Sequence, residues 1–420
     1  MRLHLRITPL FGLLLWASLL GQANDATAQK RTASATAWPK KLAHTIMTTW
    51  PDSLEEFPGK PVKWNYGQGV VLEGVKALWQ RTGDKRYLDY VQQSMDYFVR
   101  PDGSINKYRV TEYNLDGIKN GTLLLFLYRQ TQQEKYLKAA SLMREQLKAH
   151  PRNPDGGFWH KQVYPRQMWL DGLYMAEPFY AQYAVITKEP AAFDDVARQF
   201  ILMEKHARDP KTGLLYHGYD DARGQQWADK QTGLSPNFWG RAMGWYVAGL
   251  VDALDYFPPQ HPKRDSLLAI LNRSATAMQR YQDPQSGLWY QVLDKRGTTG
   301  NYEEASVSGL FTYALAKGVR QGYLPASYLK TATKAYAGMV QRFIETDAQG
   351  LVHLKGTVAV AGLGGKPYRS GSYEYYVQEP LKTDDIKGMG AFILAGNELA
   401  LAGQKQASTS SGAKRRNGSK

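Results

Sequence analysis

The sequence is dominated by a loose repeat, in which a helix rich in small residues is followed by a turn and then by an amphipathic helix. The first copy begins near Tyr66 and places its second helix from Tyr87 onward. The copies begin about 50 to 80 residues apart, a spacing that suits a helix pair plus a long loop. The six predicted starts are Tyr66, Asp116, Asp171, Gly240, Glu303 and Asp385.

The two helices of each copy have different residue patterns. Apolar residues recur at intervals of three and four in the second helices, which predicts surface helices. The first helices are nearly continuous in small and apolar residues and should be buried on most sides. Glycine there allows close helix approach, at a helix-propensity cost of up to about 1 kcal/mol per residue. We therefore predict an all-α fold, an (α/α)6 barrel of the six-hairpin type. An open α-solenoid is the alternative, but its repeats would be shorter and more uniform.

Polar segments at residues 24–36 and 404–420 flank the repeats and predict a disordered leader and a disordered basic tail. No long linker lies between them, so we expect one barrel domain over residues 37–403. Its sixth copy lacks a second helix at the C-terminal end. A helix predicted from Trp38 to Trp50 would supply that partner and close the ring.

The first 23 residues have the pattern of a cleaved signal peptide. Arg2 and Arg6 precede an apolar run at residues 10–20. Gly21-Gln22-Ala23 offers a cleavage site between small residues, and Ala26-Thr27-Ala28 offers a second. The run is short for a membrane span, and a retained anchor is the alternative. We expect an exported protein, periplasmic or secreted, with no stable membrane insertion after cleavage.

Composition narrows the chemistry and the partners. The absence of cysteine excludes disulfides, thiolate metal sites and a cysteine nucleophile. The formal net charge is +15, and about +8 remains without the two arginines of the signal peptide and the five cations of the tail. A positive field attracts anionic ligands. Export argues against nucleic acid, so an acidic polysaccharide is the preferred partner, although the charge also fits a simple solubility role.

Polar residues gather at the predicted starts of the first helices, which should share one rim of the barrel. A single Asp in such a place is usually a helix cap. Lys119 and Arg241 have no capping role, because a helix N-terminus disfavours cations. Acids and cations that converge on one rim predict a site for an anionic sugar. The rim residues are Asn65, Tyr66, Asp116, Lys119, Asp171, Asn237, Arg241, Glu303, Glu304, Lys382 and Asp384.

Two histidines lie in the loops that precede the third and fourth first helices. His160 and His217 could donate hydrogen bonds to a carboxylate or hydroxyl of a ligand; loop packing is the equal alternative. The sequence has no His-x-x-x-His or acidic-loop metal pattern, no Gly-Lys-Ser/Thr phosphate loop and no dinucleotide fingerprint after a strand. It therefore predicts neither a required metal nor a nucleotide cofactor.

Five motifs together resemble the unsaturated rhamnogalacturonyl hydrolases of glycoside hydrolase family 105, over about residues 40 to 402. The segments at 168–175 and 238–245 are the most specific of them. The motifs are Trp64-Asn65-Tyr66-Gly67-Gln68-Gly69, Asn114-Leu115-Asp116-Gly117, Met168-Trp169-Leu170-Asp171-Gly172-Leu173-Tyr174-Met175, Phe238-Trp239-Gly240-Arg241-Ala242-Met243-Gly244-Trp245 and Glu303-Glu304-Ala305-Ser306.

The resemblance implies an (α/α)6 barrel, a metal-free reaction and roles for particular residues. Asp171 matches the family's catalytic acid/base, and Asp116 matches its second acidic residue. The positions that match the lining of the substrate pocket are Tyr66, His160, His217, Arg241 and Trp245.

The implied substrate is an oligosaccharide produced by a polysaccharide lyase, with a 4,5-unsaturated uronate at its non-reducing end. The family's reaction hydrates that double bond and thereby releases the sugar. Unsaturated galacturonyl-rhamnose from rhamnogalacturonan is the first choice, and glucuronyl-rhamnose of the ulvan type is the second. A polysaccharide lyase on the same barrel and a non-catalytic sugar-binding protein are the rival functions.

Overall fold

The computed structural model describes residues 37–52, 54 and 62–417, with the helix but not the side chains of residues 406–417. The signal peptide predicted at 1–23 and the leader at 24–36 lie outside the described residues. No helix in the described part of the chain is long and apolar enough to cross a membrane.

Helices account for most of the described chain and follow the predicted pairwise order. A helix at 37–49 (α1) precedes the first pair. The remaining helices are α2 Tyr66–Thr82, α3 Lys85–Asp96, α4 Gly121–Thr131, α5 Glu134–Ala149, α6 Leu170–Thr187, α7 Ala192–Ala207, α8 Gly240–Leu254, α9 Arg264–Arg280, α10 Ala305–Gln321, α11 Tyr328–Phe343, α12 Tyr373–Gln378 and α13 Ile386–Asn417, with short 3₁₀ helices at Val110–Glu112 and Leu115–Ile118.

The helices rich in small residues form a closed inner ring. In order around the ring they are α2, α4, α6, α8, α10 and α13, and α13 packs back against α2. Helices α3, α5, α7, α9 and α11 each cover the inner helix that precedes them. The buried apolar side chains of both layers form one continuous core. The structure thus confirms the predicted all-α (α/α)6 barrel and excludes the open solenoid.

Close approach of inner helices explains the glycines in their sequences. A Cβ atom on Gly390 of α13 would lie 2.5 Å from the carbonyl oxygen of Val70 in α2. A Cβ atom on Gly249 of α8 would lie 2.9 Å from the Leu173 carbonyl oxygen in α6. Backbone therefore packs directly on backbone at these two crossings, and no larger side chain fits without a shift of the helices.

The sixth outer position is filled from the N-terminal side of the barrel, as the sequence predicts. Pro39 of α1 lies beside Gly396 of α13, where an added Cβ atom would meet it. The hydroxyl of Thr45 bonds the backbone of Val352 in both directions, at 2.9 Å to the oxygen and 3.0 Å from the nitrogen. Helix α13 continues to Asn417, so the segment 404–417 is helical where the sequence predicts disorder.

Short antiparallel ribbons occupy the loops between the helices. They pair β1 Gln167–Trp169 with β2 Gly218–Asp220, β3 Ile344–Thr346 with β4 Val352–Leu354, and β5 Thr357–Val358 with β6 Leu381–Lys382. The first ribbon joins the loop before α6 to the loop before α8, and its register pairs Trp169 with Gly218. These ribbons hold the loops in place at the ends of the inner helices.

Replacement of Gly390 by alanine tests the contact between α13 and α2. The new Cβ atom would overlap Val70, and overpacking of this kind typically costs about 1–3 kcal/mol. We expect a lower midpoint of thermal unfolding for Gly390→Ala. Gly224→Ala is the matched control, because nothing lies within 4 Å of its added Cβ atom. Equal midpoints for the two variants would contradict the close crossing.

Candidate active site

Backbone hydrogen bonds connect neighbouring repeats of the barrel. In each, the donor is the first residue of an inner helix, or of the 3₁₀ turn ahead of α4, and the acceptor lies in the loop that leads to the next inner helix. The same bond recurs in four successive repeats. Its donor and acceptor pairs are Leu115 N to His160 O (3.2 Å), Leu170 N to His217 O (3.0 Å), Gly240 N to Gln291 O (2.8 Å) and Ala305 N to Gly356 O (2.9 Å).

Each of the two acids predicted to be catalytic lies immediately after one of these donors. Asp116 follows Leu115, and Asp171 follows Leu170. Because His160 and His217 are the matching acceptors, each acid is placed beside a histidine of the next loop. The backbone repeat alone therefore creates two acid–histidine pairs on one rim of the barrel.

Further backbone pairing joins the two acid–histidine pairs. Asn114 and Lys161 form an antiparallel bridge beside the first pair. The His160 nitrogen donates to the Gln167 oxygen at 2.7 Å, at the start of the β1 strand that leads to Asp171. The loops before α4, α6 and α8 are thus held together as one structure.

Asp116 is paired with a cation. Its Oδ2 atom lies 2.5 Å from Lys161 Nζ, and its Oδ1 atom lies 3.5 Å from His160 Nε2. Burial favours the neutral acid, but the charge and the hydrogen bond of Lys161 outweigh it and hold the pKa of Asp116 below its usual value. Asp116 is therefore a carboxylate at neutral pH.

Asp171 has a different neighbour. Its Oδ2 atom lies 3.2 Å from His217 Nε2, the one ion-pair contact of Asp171 within the described chain. The two atoms are close without the alignment of a full hydrogen bond. His217 Nδ1 lies 2.7 Å from the hydroxyl of Tyr376. Burial raises the pKa of Tyr376, so its phenol stays protonated and orients the imidazole toward Asp171.

Asp171 is not a helix cap. Trp169 occupies the N-cap position of α6, and its side chain makes no capping hydrogen bond. Asp116 lies in the 3₁₀ turn ahead of α4 and does not cap that helix either. The other rim acids that the sequence predicts include a true cap, since Glu304 accepts from the Val307 nitrogen at the start of α10.

His160 connects the two acids. Its imidazole is 3% exposed and stacks on Trp169, with ring centroids 4.5 Å apart and planes 17° apart. Burial lowers the pKa of His160 to about 4; the charge of Lys161 acts in the same direction, whereas Asp116 and Asp171 oppose it. His160 is thus neutral near pH 7 and lies within electrostatic range of both carboxyl groups.

A small aromatic cluster covers the same rim, apart from the main core. Trp169 packs with Trp227 and Leu363. Tyr164 stacks on Trp169 at 4.9 Å, and the Arg369 guanidinium donates to the Tyr164 hydroxyl at 2.8 Å. The glycine-rich run at 362–365 therefore belongs to this rim, a placement that its sequence alone does not indicate.

Arg241 and Trp245 of α8 are both buried, with 1% of each residue exposed. Arg241 donates to the carbonyl of Val358 and lies 5.3 Å from the Trp239 ring. Trp245 stacks on Tyr174 at 4.8 Å and meets Tyr66 edge-on at 6.4 Å. These rings form a floor beneath the acid–histidine rim. The role in substrate binding that the resemblance implies for Tyr66, Arg241 and Trp245 stays a prediction.

Lys119 does not lie at the rim, contrary to the prediction. It is fully buried, and its Nζ atom lies 3.9 Å from the Tyr174 ring centroid. The charges that act on it most strongly are Glu73 and Asp252 inside the barrel, not the two rim acids. Its position therefore supports the floor of the site from below.

Two neighbours of the acids were missed by sequence reasoning. Lys161 directly follows His160, and this adjacency was a signal that could have been used. Tyr376 comes from α12, 159 residues after its partner His217, and no local pattern marks it. Among the described residues, no group of three or more His, Asp or Glu side chains is arranged to hold a metal ion.

Comparisons with known proteins give a consistent result. The sequence model of Glycosyl Hydrolase Family 88 matches residues 38–402. The solved structure of a glycoside hydrolase from family 105 of C. acetobutylicum ATCC 824 is 45% identical, with a TM-score of 0.83, and covers 86% of this chain and 99% of that one.

Two curated relatives are named for their activities. The unsaturated rhamnogalacturonyl hydrolase YesR of Bacillus subtilis (strain 168) is 30% identical over 284 residues, which are 66% of this chain and 76% of that protein. The unsaturated 3S-rhamnoglycuronyl hydrolase of Formosa agariphila is 29% identical over 242 residues, which are 55% of this chain and 57% of that protein.

Buried neutral histidines should make the protein less stable as the pH falls. Burial lowers the pKa of both His160 and His150 from 6.5 to about 4. Between these values the unfolded chain binds protons that the folded chain does not. For each histidine, the free energy of unfolding therefore decreases by up to about 1.4 kcal/mol for each unit by which the pH falls. We expect the midpoint of thermal unfolding to fall from pH 6.5 to pH 5. The buried Glu177, whose raised pKa keeps it protonated in the folded protein, adds stability as the pH falls over the same window and offsets about one of the two histidines.

His150→Asn serves as the comparison for this measurement and should make the decline shallower. His353, whose pKa is raised by Asp384 and Asp347, contributes a constant amount below pH 6.5 and does not mask the effect. A midpoint that is constant over the window would show that the two imidazoles are not buried in their neutral form.

Proposed function

The chain belongs to glycoside hydrolase family 105, and the sequence model of Glycosyl Hydrolase Family 88 also matches it. We therefore propose that it is an unsaturated uronyl hydrolase. It removes the 4,5-unsaturated uronic acid from the non-reducing end of lyase-generated oligosaccharides. Unsaturated galacturonyl-rhamnose from rhamnogalacturonan is the proposed substrate, in line with the name of the relative YesR.

The contrast between the two acids carries the proposal. Asp116 is held as a carboxylate by Lys161, whereas Asp171 contacts an imidazole and has no Lys or Arg partner in the described part of the chain. When two carboxyl groups of one site have different environments, one can remain a carboxylate while the other carries the proton. Asp171 is the proton carrier in the proposed reaction, and Asp116 is the anion that stabilises positive charge.

The substrate is an enol ether, so its double bond can be hydrated. Asp171 gives a proton to C4, and positive charge develops on C5 and the ring oxygen. Water then attacks C5 and returns a proton to Asp171. The C5 hemiketal opens by cleavage of the bond between C5 and the ring oxygen, which leaves a ketone at C5 and a hemiacetal at C1. Breakdown of that hemiacetal releases the sugar alcohol, with one water consumed overall.

The neighbours of Asp171 suit this proton transfer. His217 Nε2 lies 3.2 Å from Asp171 Oδ2, near enough for a proton to pass between them, and the Tyr376 hydroxyl lies 2.7 Å from the other ring nitrogen. Arg241 is buried on the Val358 carbonyl and has no ion-pair partner in the described part of the chain, so its charge attracts the uronate carboxylate from beneath the rim. Tyr164 is partly exposed at the rim and offers aromatic surface on which a sugar ring can stack, whereas Trp169 is buried between Tyr164 and His160.

A direct test follows the absorbance of the conjugated double bond in lyase-treated rhamnogalacturonan. We expect the absorbance to fall with release of the keto acid. A rise would identify a lyase, and binding without change would identify a sugar-binding protein. Lyase-treated ulvan is the parallel substrate, chosen because of the Formosa agariphila relative. Faster turnover of the ulvan products would replace the proposed substrate but retain the reaction.

Asp171→Asn should lose most of this activity while it keeps its fold. General acid–base catalysis typically contributes about 10²–10⁴-fold to the rate, and the amide cannot carry the proton. We expect kcat to fall at least 100-fold with an unchanged circular dichroism spectrum. Asp194→Asn is the matched control, since that carboxyl is 64% exposed on α7. Turnover near the wild-type value in Asp171→Asn would refute the assignment.

We also propose that the protein is exported and that residues 1–23 are cleaved as a signal peptide. This proposal rests on the positively charged start of the chain and on the apolar run at residues 10–20. The mature chain isolated from producing cells should begin at Asn24. N-terminal sequencing and the intact mass of the protein test this. A chain that retains residues 1–23 would indicate a membrane anchor or an internal protein.

A further inference from the structure

A small cavity lies directly behind His160, on the side away from Asp116. Its volume of about 10 Å³ is room for about one water molecule. The cavity is enclosed by the start of α6, by α7 and by the loop that carries His160. Its lining residues are Leu115, Phe158, His160, Met168, Trp169, Gly172, Leu173, Glu177 and Gln199.

Two polar atoms of this lining have no hydrogen-bond partner among the described residues. They are His160 Nδ1 and Glu177 Oε2. His160 is 3% exposed and Glu177 is 1% exposed. The other polar side chains of the lining are engaged. Gln199 accepts from the Phe158 nitrogen and donates to the Gly156 oxygen, and Trp169 Nε1 donates to Gln167.

Gly172 keeps the space beside His160 open. A Cβ atom at this position would lie 3.3 Å from His160 Nδ1 and 2.9 Å from Leu115. Any larger residue would therefore enter the space that faces Nδ1. The glycine that follows Asp171 thus preserves room for a partner of His160.

Glu177 can serve as a hydrogen-bond donor in this cavity. Burial, reinforced by Asp195, raises its pKa well above the ordinary value, and the opposing charge of Arg152 does not compensate. A neutral carboxylic acid has an O–H group, whereas a carboxylate has only acceptors. Glu177 is therefore protonated and is able to donate to a water molecule.

His160 needs a donor on its inner side. Its Nε2 atom faces the Asp116 carboxylate at 3.5 Å, and an N–H there is attracted by the anion, whereas a lone pair is repelled. The neutral ring then has its lone pair on Nδ1, inside the cavity. A water molecule that accepts from Glu177 and donates to Nδ1 satisfies both buried atoms.

We propose that Glu177 is a positioning residue, which acts through one ordered water molecule to hold His160 with its Nε2–H directed at Asp116. The chain of hydrogen bonds runs from Glu177 Oε2–H to the water, from the water to His160 Nδ1, and from His160 Nε2–H to Asp116. This inference rests on the proposed function for its effect on catalysis, but the state of the imidazole can be measured without any substrate.

The test compares Glu177→Met with Glu177→Gln in the full-length protein. Methionine fills a similar volume and cannot donate, whereas the glutamine amide keeps a donor in place. We expect the ¹⁵N shifts of His160 to show the Nε2–H tautomer in the wild type and in Glu177→Gln, and a mixture of tautomers in Glu177→Met. His160→Gln identifies the signal among the eight histidines.

Turnover gives the second measurement. Loss of the outer partner of a metal-bound imidazole typically costs about 10- to 100-fold, and we expect kcat of Glu177→Met to fall on the same scale because His160 likewise loses the group that orients it. Its unfolding midpoint should be unchanged or higher, since a buried polar group is removed. Glu177→Gln should keep kcat within about threefold, because the glutamine amide retains a hydrogen-bond donor at this position.

The outcomes separate this inference from the proposed function. Unchanged His160 shifts in Glu177→Met would overturn the role of Glu177, whatever the activity. A wild-type protein that does not consume unsaturated uronates would overturn the proposed function, while the tautomer measurement would still decide the inference. Equal loss of kcat in the Gln and Met variants would also contradict it, since the donor is retained in only one of them.

Discussion

A backbone N–H at the start of an inner segment donates to a carbonyl of the loop that leads into the next inner helix. The bond joins Leu115 to His160, Leu170 to His217, and continues through two further repeats. It satisfies an N–H group that the first turn of a helix would otherwise leave without a partner. Because the loops of neighbouring repeats are bound in this way, side chains that are far apart in the sequence meet at fixed positions on the rim.

The chemistry of the rim follows from which residues stand beside these bonds. In the first two of the four repeats the donor is followed by an acid and the acceptor is a histidine, so that Asp116 meets His160 and Asp171 meets His217. In the third repeat the same position holds Arg241. One backbone arrangement thus places acids and a cation along the same edge. Lys161 then distinguishes the two acids, because it compensates the charge of Asp116 alone.

Much of the fold could be predicted from the sequence. Patterns of small residues and of apolar residues at intervals of three and four identified the inner and outer helices, because helix burial and helix packing depend on the local order of residue types. Helices α6, α8 and α13 begin within one residue of the predicted starts. The second inner helix begins five residues later than predicted, since a 3₁₀ turn at Leu115–Ile118 intervenes between Asp116 and α4. Helicity in the tail at 404–417 was not expected, because polar composition alone predicts disorder there.

By itself the sequence determined the inner and outer helices, since the patterns of small and apolar residues that distinguish them are local. It also marked Asp116 and Asp171 as candidate acids, through motifs that resemble those of a known family. The tertiary structure alone decided what surrounds those acids. Tyr376 reaches His217 from α12, Lys119 turns into the barrel below Tyr174, and Glu177 is buried behind His160. The charge and orientation of a side chain depend on burial and on partners from other repeats, and those become known only when the ring has closed.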